Sequence, residues 1–225
     1  MATYSQPHPN IKIYDNVLSK DNHELMHKTC LQAPYEIGWG DTIENQQTHF
    51  HSVIDTSVWN SVRDGSAFYS KNILKPPYNI IDILARTEAC KQLKDLYVRQ
   101  TVINLDTIAD THAAHNHKNQ TVALFYLNPF WKPSWGGETL FFDSITDEVI
   151  LAVPYTPNRM IVFDGNIDHS FNGPNVESQL KNRISISTFF SKEKQQNEDE
   201  FELAMSETML KVVSDLRDLR TAWNI

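Results

Sequence analysis

Two cysteines in 225 residues, Cys30 and Cys90, rule out a disulfide framework of the kind small secreted domains use. They lack metal-ligand spacing and fall in helix-like segments, so both read as buried free thiols. Long apolar runs are also missing. No stretch approaches the roughly 18 apolar residues of a membrane span, and Met1-Ala-Thr-Tyr-Ser-Gln-Pro-His-Pro9 has no apolar run behind a basic patch. Positive charge is scarce: 20 Lys and Arg face 28 Asp and Glu, a formal net charge of −8. That balance argues against a general nucleic-acid backbone binder. No internal repeat is evident. These absences lead to the expectation of a soluble cytoplasmic protein with no membrane association.

What is present suits one globular domain. The chain is 40% hydrophobic and 11% aromatic, and its length supports a core of ordinary size. Residues 1–97 read as a mostly helical N-terminal support after a short strand, Asn10-Ile-Lys-Ile-Tyr-Asp15. Ser19 is an expected N-cap for a helix from Lys20 to about Gln32, ended by Pro34. The loop Ile37–His51, with Trp39, Asp41, Glu44, His49 and His51, is a candidate lid. Ser57 is a cap for a second helix, and Lys75-Pro-Pro-Tyr78 is a breaker. Ile80, Ile81, Leu84, Leu93 and Leu96 then give a helical apolar face.

From Val98 the period changes to two, with strands expected at 98–105, 121–128, 138–142, 148–153, 159–164 and 183–190. Short strands without intervening helices predict a jelly-roll core over 98–190, a mainly β fold with flanking helices. In the last strand Arg183, Ser185, Ser187 and Phe189 share one face, which implies a polar pocket inside the barrel. Residues 192–225 become amphipathic, with Phe201, Leu203, Met205, Met209, Leu210, Val213 and Leu216. They read as a C-terminal helix packed on the barrel or on a second copy, which would make a homodimer.

Nine histidines occur, and His112, His115 and His117 fall within six positions. They belong to an ordered set: Asp110-Thr-His-Ala-Ala-His-Asn-His117, Tyr126-Leu-Asn128, Gly136-Gly-Glu-Thr-Leu-Phe141, His169, and Arg183 fourteen residues later. Two histidines plus a carboxylate on a β scaffold, with open coordination positions, is the usual non-heme Fe(II) arrangement for O₂ chemistry. Here no Asp or Glu stands two positions after any of the three clustered histidines.

Over about residues 98–190 these motifs resemble the Fe(II)/2-oxoglutarate-dependent oxygenases of the prolyl 4-hydroxylase-like branch. The resemblance implies a double-stranded β-helix (a cupin-like jelly roll) and the cofactors Fe(II), 2-oxoglutarate and O₂. It makes His169 the distal iron ligand and Arg183 the anchor for a 2-oxoglutarate carboxylate, with Tyr126 and Ser187 adding hydroxyl donors. A small-molecule or peptide substrate is expected. His112 lies fourteen residues before Tyr126, a gap similar to that in short family members, and so stands as the proximal ligand with Ala114 at the carboxylate position. The family's halogenases carry a small residue there, and chloride or bromide takes the vacated position. Two readings stay beside that one: His115 and His117 as two imidazoles of a three-histidine iron site that hydroxylates, or Ala114 as an introduced replacement of an aspartate. A catalytically silent jelly-roll binding module is the alternative from a different class.

Overall fold

A computed structural model describes residues 3–40, 46–54, 83–84, 86–108, 110, 112–179 and 181–192. The chain divides into a compact unit over Met1–Lys192 and a second over Glu193–Ile225. The expected C-terminal helix and the helix after Ser57 lie outside the described residues.

The elements, in chain order, are β1 (Thr3–His8), β2 (Ile11–Asp15), α1 (Lys20–Cys30), β3 (Glu36–Gly40), β4 (Gln46–Ile54) and α2 (Glu88–Lys91). There follow β5 (Tyr97–Asp106), β6 (Thr121–Tyr126), β7 (Thr139–Phe142), β8 (Val149–Val153), β9 (Arg159–Asp164), β10 (Asp168–Phe171) and β11 (Arg183–Ser191). They form an eight-stranded antiparallel sheet in the order β1-β2-β9-β6-β11-β5-β4-β3 and a three-stranded sheet β10-β7-β8. Two facing antiparallel sheets of this kind are the jelly-roll core expected from the period-two segment.

Strand β6 shows why the large sheet sits in the middle of the unit. Val122, Leu124 and Tyr126 point into an inter-sheet core with Trp131, Phe141, Val153, Tyr155, Ile161 and Phe163. Ala123 and Phe125 join a second core on the other face, with Met26, Cys30, Ile103, Ile184 and Ile186. A strand buried on both sides reads as continuous apolar sequence, here Val-Ala-Leu-Phe-Tyr. Helix α1 covers that second face, and its start is fixed by Ser19 Oγ, which accepts from the Asn22 amide at 3.3 Å. Cys30 and Cys90 are both buried free thiols.

The N-terminal expectation needs correction. The described part of residues 1–97 contains four complete strands and only two helices, α1 and the four-residue α2. Part of the expected lid, Glu36–Gly40 and Gln46–Ile54, is a β-hairpin. Strand β4 pairs along β5 from Phe50↔Leu105 to Ile54↔Thr101, so these residues extend the large sheet. Neither segment alternates cleanly in sequence; β4 pairs along the edge of β5, and β3 along β4.

Candidate metal centre

The polar face foreseen on β11 lines a cavity of about 230 Å³ between the sheets: Arg183, Ser185, Ser187 and Phe189 all reach it. The opposite face of β11 places Ile184, Ile186 and Phe190 in the outer core. Strand alternation thus separates a hydrophobic support from a polar interior on one nine-residue strand.

At one wall of the cavity stand His115, His117 and His169, whose ligand-capable ring nitrogens lie within 4.8 Å of one another. Main-chain bonds put them there. The His115 amide donates to the His169 carbonyl at 3.1 Å, and the His169 amide returns a bond to the His115 carbonyl at 2.9 Å. The His117 amide donates to the Gly165 carbonyl at 2.7 Å. His115 and His117, two apart on an extended segment, therefore face the same way beside β10. Asn116, between them, points elsewhere and donates to Asp168 Oδ1 at 2.7 Å. Gly165 is required for this approach, since a Cβ there would lie 2.5 Å from the His117 carbonyl oxygen and 2.8 Å from that of Gln120.

Ring orientation is fixed as well. His169 Nδ1 is 3.0 Å from the Ile167 carbonyl and His115 Nδ1 is 3.0 Å from the Ala113 carbonyl. A carbonyl can only accept, so each Nδ1 carries the proton and each Nε2 keeps its lone pair for a metal. Burial, then the neighbouring His115, pushes His169 down to about 3, so its ring is neutral at physiological pH, as a metal ligand must be. Phe163 packs edge-on against it at 4.8 Å.

His112, the proximal ligand favoured by spacing, lines the same cavity but stands outside this three-imidazole group. Its Nδ1 is 3.1 Å from His115 Nδ1. Burial and then His115 push it down to about 2, which keeps it neutral. Ala114 is exposed and does not line the cavity.

Arg183 is 2% exposed and lies at the start of β11. Its Nε donates to the Gly137 carbonyl at 2.9 Å; its Nη1 donates to Asp106 Oδ2 at 2.7 Å and to Ser185 Oγ at 3.1 Å. The Gly136-Gly137 pair makes this possible, with φ of +74° and +88° that other residues rarely adopt. A Cβ on Gly137 would sit 3.3 Å from Trp131 and from Tyr155, and 3.4 Å from Arg183 Cδ. Trp131 and Trp135 pack in the inter-sheet core.

Ser187 lines the cavity and accepts from Asn104 Nδ2 at 3.2 Å. Tyr126 is fully buried, and its hydroxyl lies 2.7 Å from that of Thr139, which is the member of the pair that lines the cavity. Thr139, inside the Gly136–Phe141 motif, and His49, in the expected lid, also belong to this neighbourhood, and so do two residues that no sequence motif marks, Asn104 and Asp106. The alternation of Asn104 and Asp106 on β5 could have placed both on one face, but only the pairing Arg183↔Asp106 shows what they meet.

Metal-capable imidazoles and a buried guanidinium on one cavity, inside two facing sheets, are the parts of a family that pairs iron with an oxoacid. Residues 102–191 match the 2OG-Fe(II) oxygenase superfamily. That match covers two-fifths of the chain and coincides with the strands that line the cavity. Solved structures share the fold. A Pseudomonas putida prolyl-4-hydroxylase superposes with a TM-score of 0.58 at 14% identity, covering 82% of this chain and 94% of its own. A Trichoplax adhaerens prolyl hydroxylase, solved with a hypoxia inducible factor peptide fragment, gives 0.58 at 11% identity, covering 81% and 84%. The carbocyclase SnoK from nogalamycin biosynthesis gives 0.55 at 11% identity, covering 86% of each chain. No protein of curated function matches the chain.

The donors present fit the superfamily's cofactors. Three imidazoles suit Fe(II), and at His115 and His169 a carbonyl acceptor on Nδ1 leaves the Nε2 lone pair for a metal. A guanidinium held on a rigid strand suits a carboxylate.

Proposed function

We propose that the protein is an Fe(II)- and 2-oxoglutarate-dependent hydroxylase whose iron is held by three imidazoles, those of His115, His117 and His169. The observation that carries this is the cluster of three ligand nitrogens on the same cavity as Arg183. In this reading His117 stands where the family's carboxylate stands. With Fe(II), 2-oxoglutarate and O₂ bound, the cofactors supply the oxidation of an unactivated C–H bond, with succinate and CO₂ as co-products.

The chain's own residues do the rest. Arg183 binds the carboxylate of 2-oxoglutarate remote from the metal, and its bond to the Gly137 carbonyl keeps the guanidinium from rotating. Ser185, Ser187 and Thr139 offer hydroxyls along the cavity wall. Tyr126 supports Thr139 through their hydroxyl contact. Val122, Leu124, Phe163 and Phe189 line the rest and exclude water from the reacting end. The substrate is a peptide or a small molecule; the prolyl hydroxylases of similar fold support a peptide, and the carbocyclase supports a small molecule.

The halogenase alternative assigns the proximal position to His112, with chloride or bromide beside Ala114. It is favoured by His112 reaching the cavity. It is weakened by the exposure of Ala114 and by the presence of a third imidazole, which leaves no ligand position in need of an anion. Anaerobic Fe(II) titration of wild type and of His117→Ala and His112→Ala tests the assignment. Loss of tight iron with His117→Ala and a smaller weakening, about 10–100-fold, with His112→Ala is expected. The reverse pattern, together with halide-dependent 2-oxoglutarate binding, would return the halogenase reading.

A further inference from the structure

The guanidinium that faces the cavity is not a free cation. Asp106, at the end of β5, is Arg183's direct partner across the strand pair, and the two form an ion pair 2.7 Å long with side chains 2% and 0% exposed. Asp106 uses only Oδ2 in that pair. Its Oδ1 is buried and has no hydrogen-bond partner among the described residues. A carboxylate with one satisfied oxygen and one orphaned oxygen, in a wall without solvent, is a costly arrangement unless the protein uses it.

We propose that Asp106 couples co-substrate binding to protonation: a carboxylate ligand that engages Arg183 displaces the negative charge of Asp106, which takes up one proton. The inference rests on the reading of Arg183 as the 2-oxoglutarate anchor. Its physical basis is charge count. The empty wall holds one cation and one anion. A bound carboxylate would make two anions against a single guanidinium, in a place where water cannot screen them. Like charges that share a buried site do not both stay ionised. Protonating Asp106 restores neutrality and gives its orphaned oxygen a hydrogen to share.

The surrounding groups favour Asp106 as the acceptor. Burial, with a smaller push from Asp110 beyond the end of β5, lifts its carboxyl to about 6 against the pull of Arg183. Tyr35, ahead of β3, is pushed up in turn, in part by Asp106. Tyr126 and Tyr155, which flank Arg183, are raised by burial and stay neutral. Among the described residues, His49 on β4 is an imidazole near the pair that could take a proton instead. Burial, then His51, lowers it, while Asp110 and Asn104 pull it the other way.

Linkage gives the sign. A ligand that raises the affinity of Asp106 for a proton must itself bind more tightly as pH falls. Affinity should rise up to tenfold per pH unit as pH is lowered towards about 6, and level off below that value. The test is calorimetric titration of 2-oxoglutarate into the Mn(II)-loaded protein without oxygen, near pH 7.5, in buffers of different ionisation enthalpy. Uptake approaching one proton per ligand is expected, lost in Asp106→Asn and kept in His49→Gln. Infrared difference spectra of the wild type provide a reading that needs no variant: ligand binding should create the carbonyl band of a buried protonated carboxyl. Binding of 2-oxoglutarate with neither proton uptake nor that band overturns the coupling and leaves the co-substrate reading standing. Uptake that survives in Asp106→Asn but vanishes in His49→Gln overturns it in favour of the histidine. No binding of 2-oxoglutarate at any pH overturns both.

Discussion

Arg183→Leu should do two separable kinds of damage, and the structure gives a size for each. The side chain is 2% exposed and its partner Asp106 is fully buried. Removing the guanidinium leaves an uncompensated carboxylate in the wall and strips the Gly137 carbonyl of its donor. Breaking a buried pair from one side costs about 3–5 kcal/mol. At about 2–4 °C per kcal/mol for a domain of this size, Tm should fall by roughly 6–20 °C. The loss is pH-dependent. Burial raises the Asp106 carboxyl to about 6, above its unfolded value, so the folded chain holds that proton more tightly and stability rises as pH falls through this range. Without Arg183 the carboxyl moves higher still. The deficit is then largest above neutral pH and shrinks on acidification. Urea unfolding at pH 8 and pH 5.5 reads it directly. The double variant Arg183→Leu/Asp106→Leu should recover much of the stability, because an apolar pair replaces an orphaned charge. It should bind 2-oxoglutarate no better than the single variant. A single variant within 1 kcal/mol of wild type at pH 8, or a double variant less stable than the single, would refute the account of this wall.

Three other outcomes are expected. His115→Ala, His117→Ala and His169→Ala should each lose tightly bound Fe(II), whereas His112→Ala, which removes only the ring beside His115, should weaken it by about 10–100-fold; equilibrium metal competition measures both. Gly165→Ala should displace the His117 segment and lower metal affinity by a similar factor although Gly165 ligates nothing, and unchanged iron binding would show that the segment does not need this close approach. Tyr155→Phe removes a hydroxyl that lies 3.0 Å from the Leu127 and Asn128 amides and 2.6 Å from the Ile184 carbonyl, so it should cost about 1–3 kcal/mol in chemical unfolding.

Much of the barrel was legible because its strands are short apolar or alternating runs bounded by turn residues. The expected boundaries at 159–164 and 183–190 differ from β9 and β11 by at most one residue. Strand β10 went unread: four residues, Asp-His-Ser-Phe, carry no alternation of their own and become a strand by pairing with β7. The hairpin β3–β4 failed for the same reason, since its polar stretch Gln46-Gln-Thr-His49 looks like loop until it pairs with β3. In the candidate site, the resemblance singled out His169 and Arg183, and both line the cavity. It did not single out the groups that depend on register across strands. Asp106 is 77 residues from Arg183, and nothing local announces that they meet. The order of the three clustered histidines is likewise a matter of register. Distance from Tyr126 favours His112, while the bridge from His115 to His169 brings His115 and His117 to the distal histidine.

That bridge has a further consequence. Its two main-chain bonds, with the third from His117 to Gly165, tie the ligand-bearing segments together through groups that never touch an ion. Many small metalloproteins are folded by their metal, and chelators denature them. Here the scaffold holds its own shape around the imidazoles, so emptying the site removes none of these bonds. The polypeptide becomes an exchangeable host. On the proposed reading cobalt, nickel or zinc should load in turn into one frame, and a spectroscopically bright ion should report on the cavity.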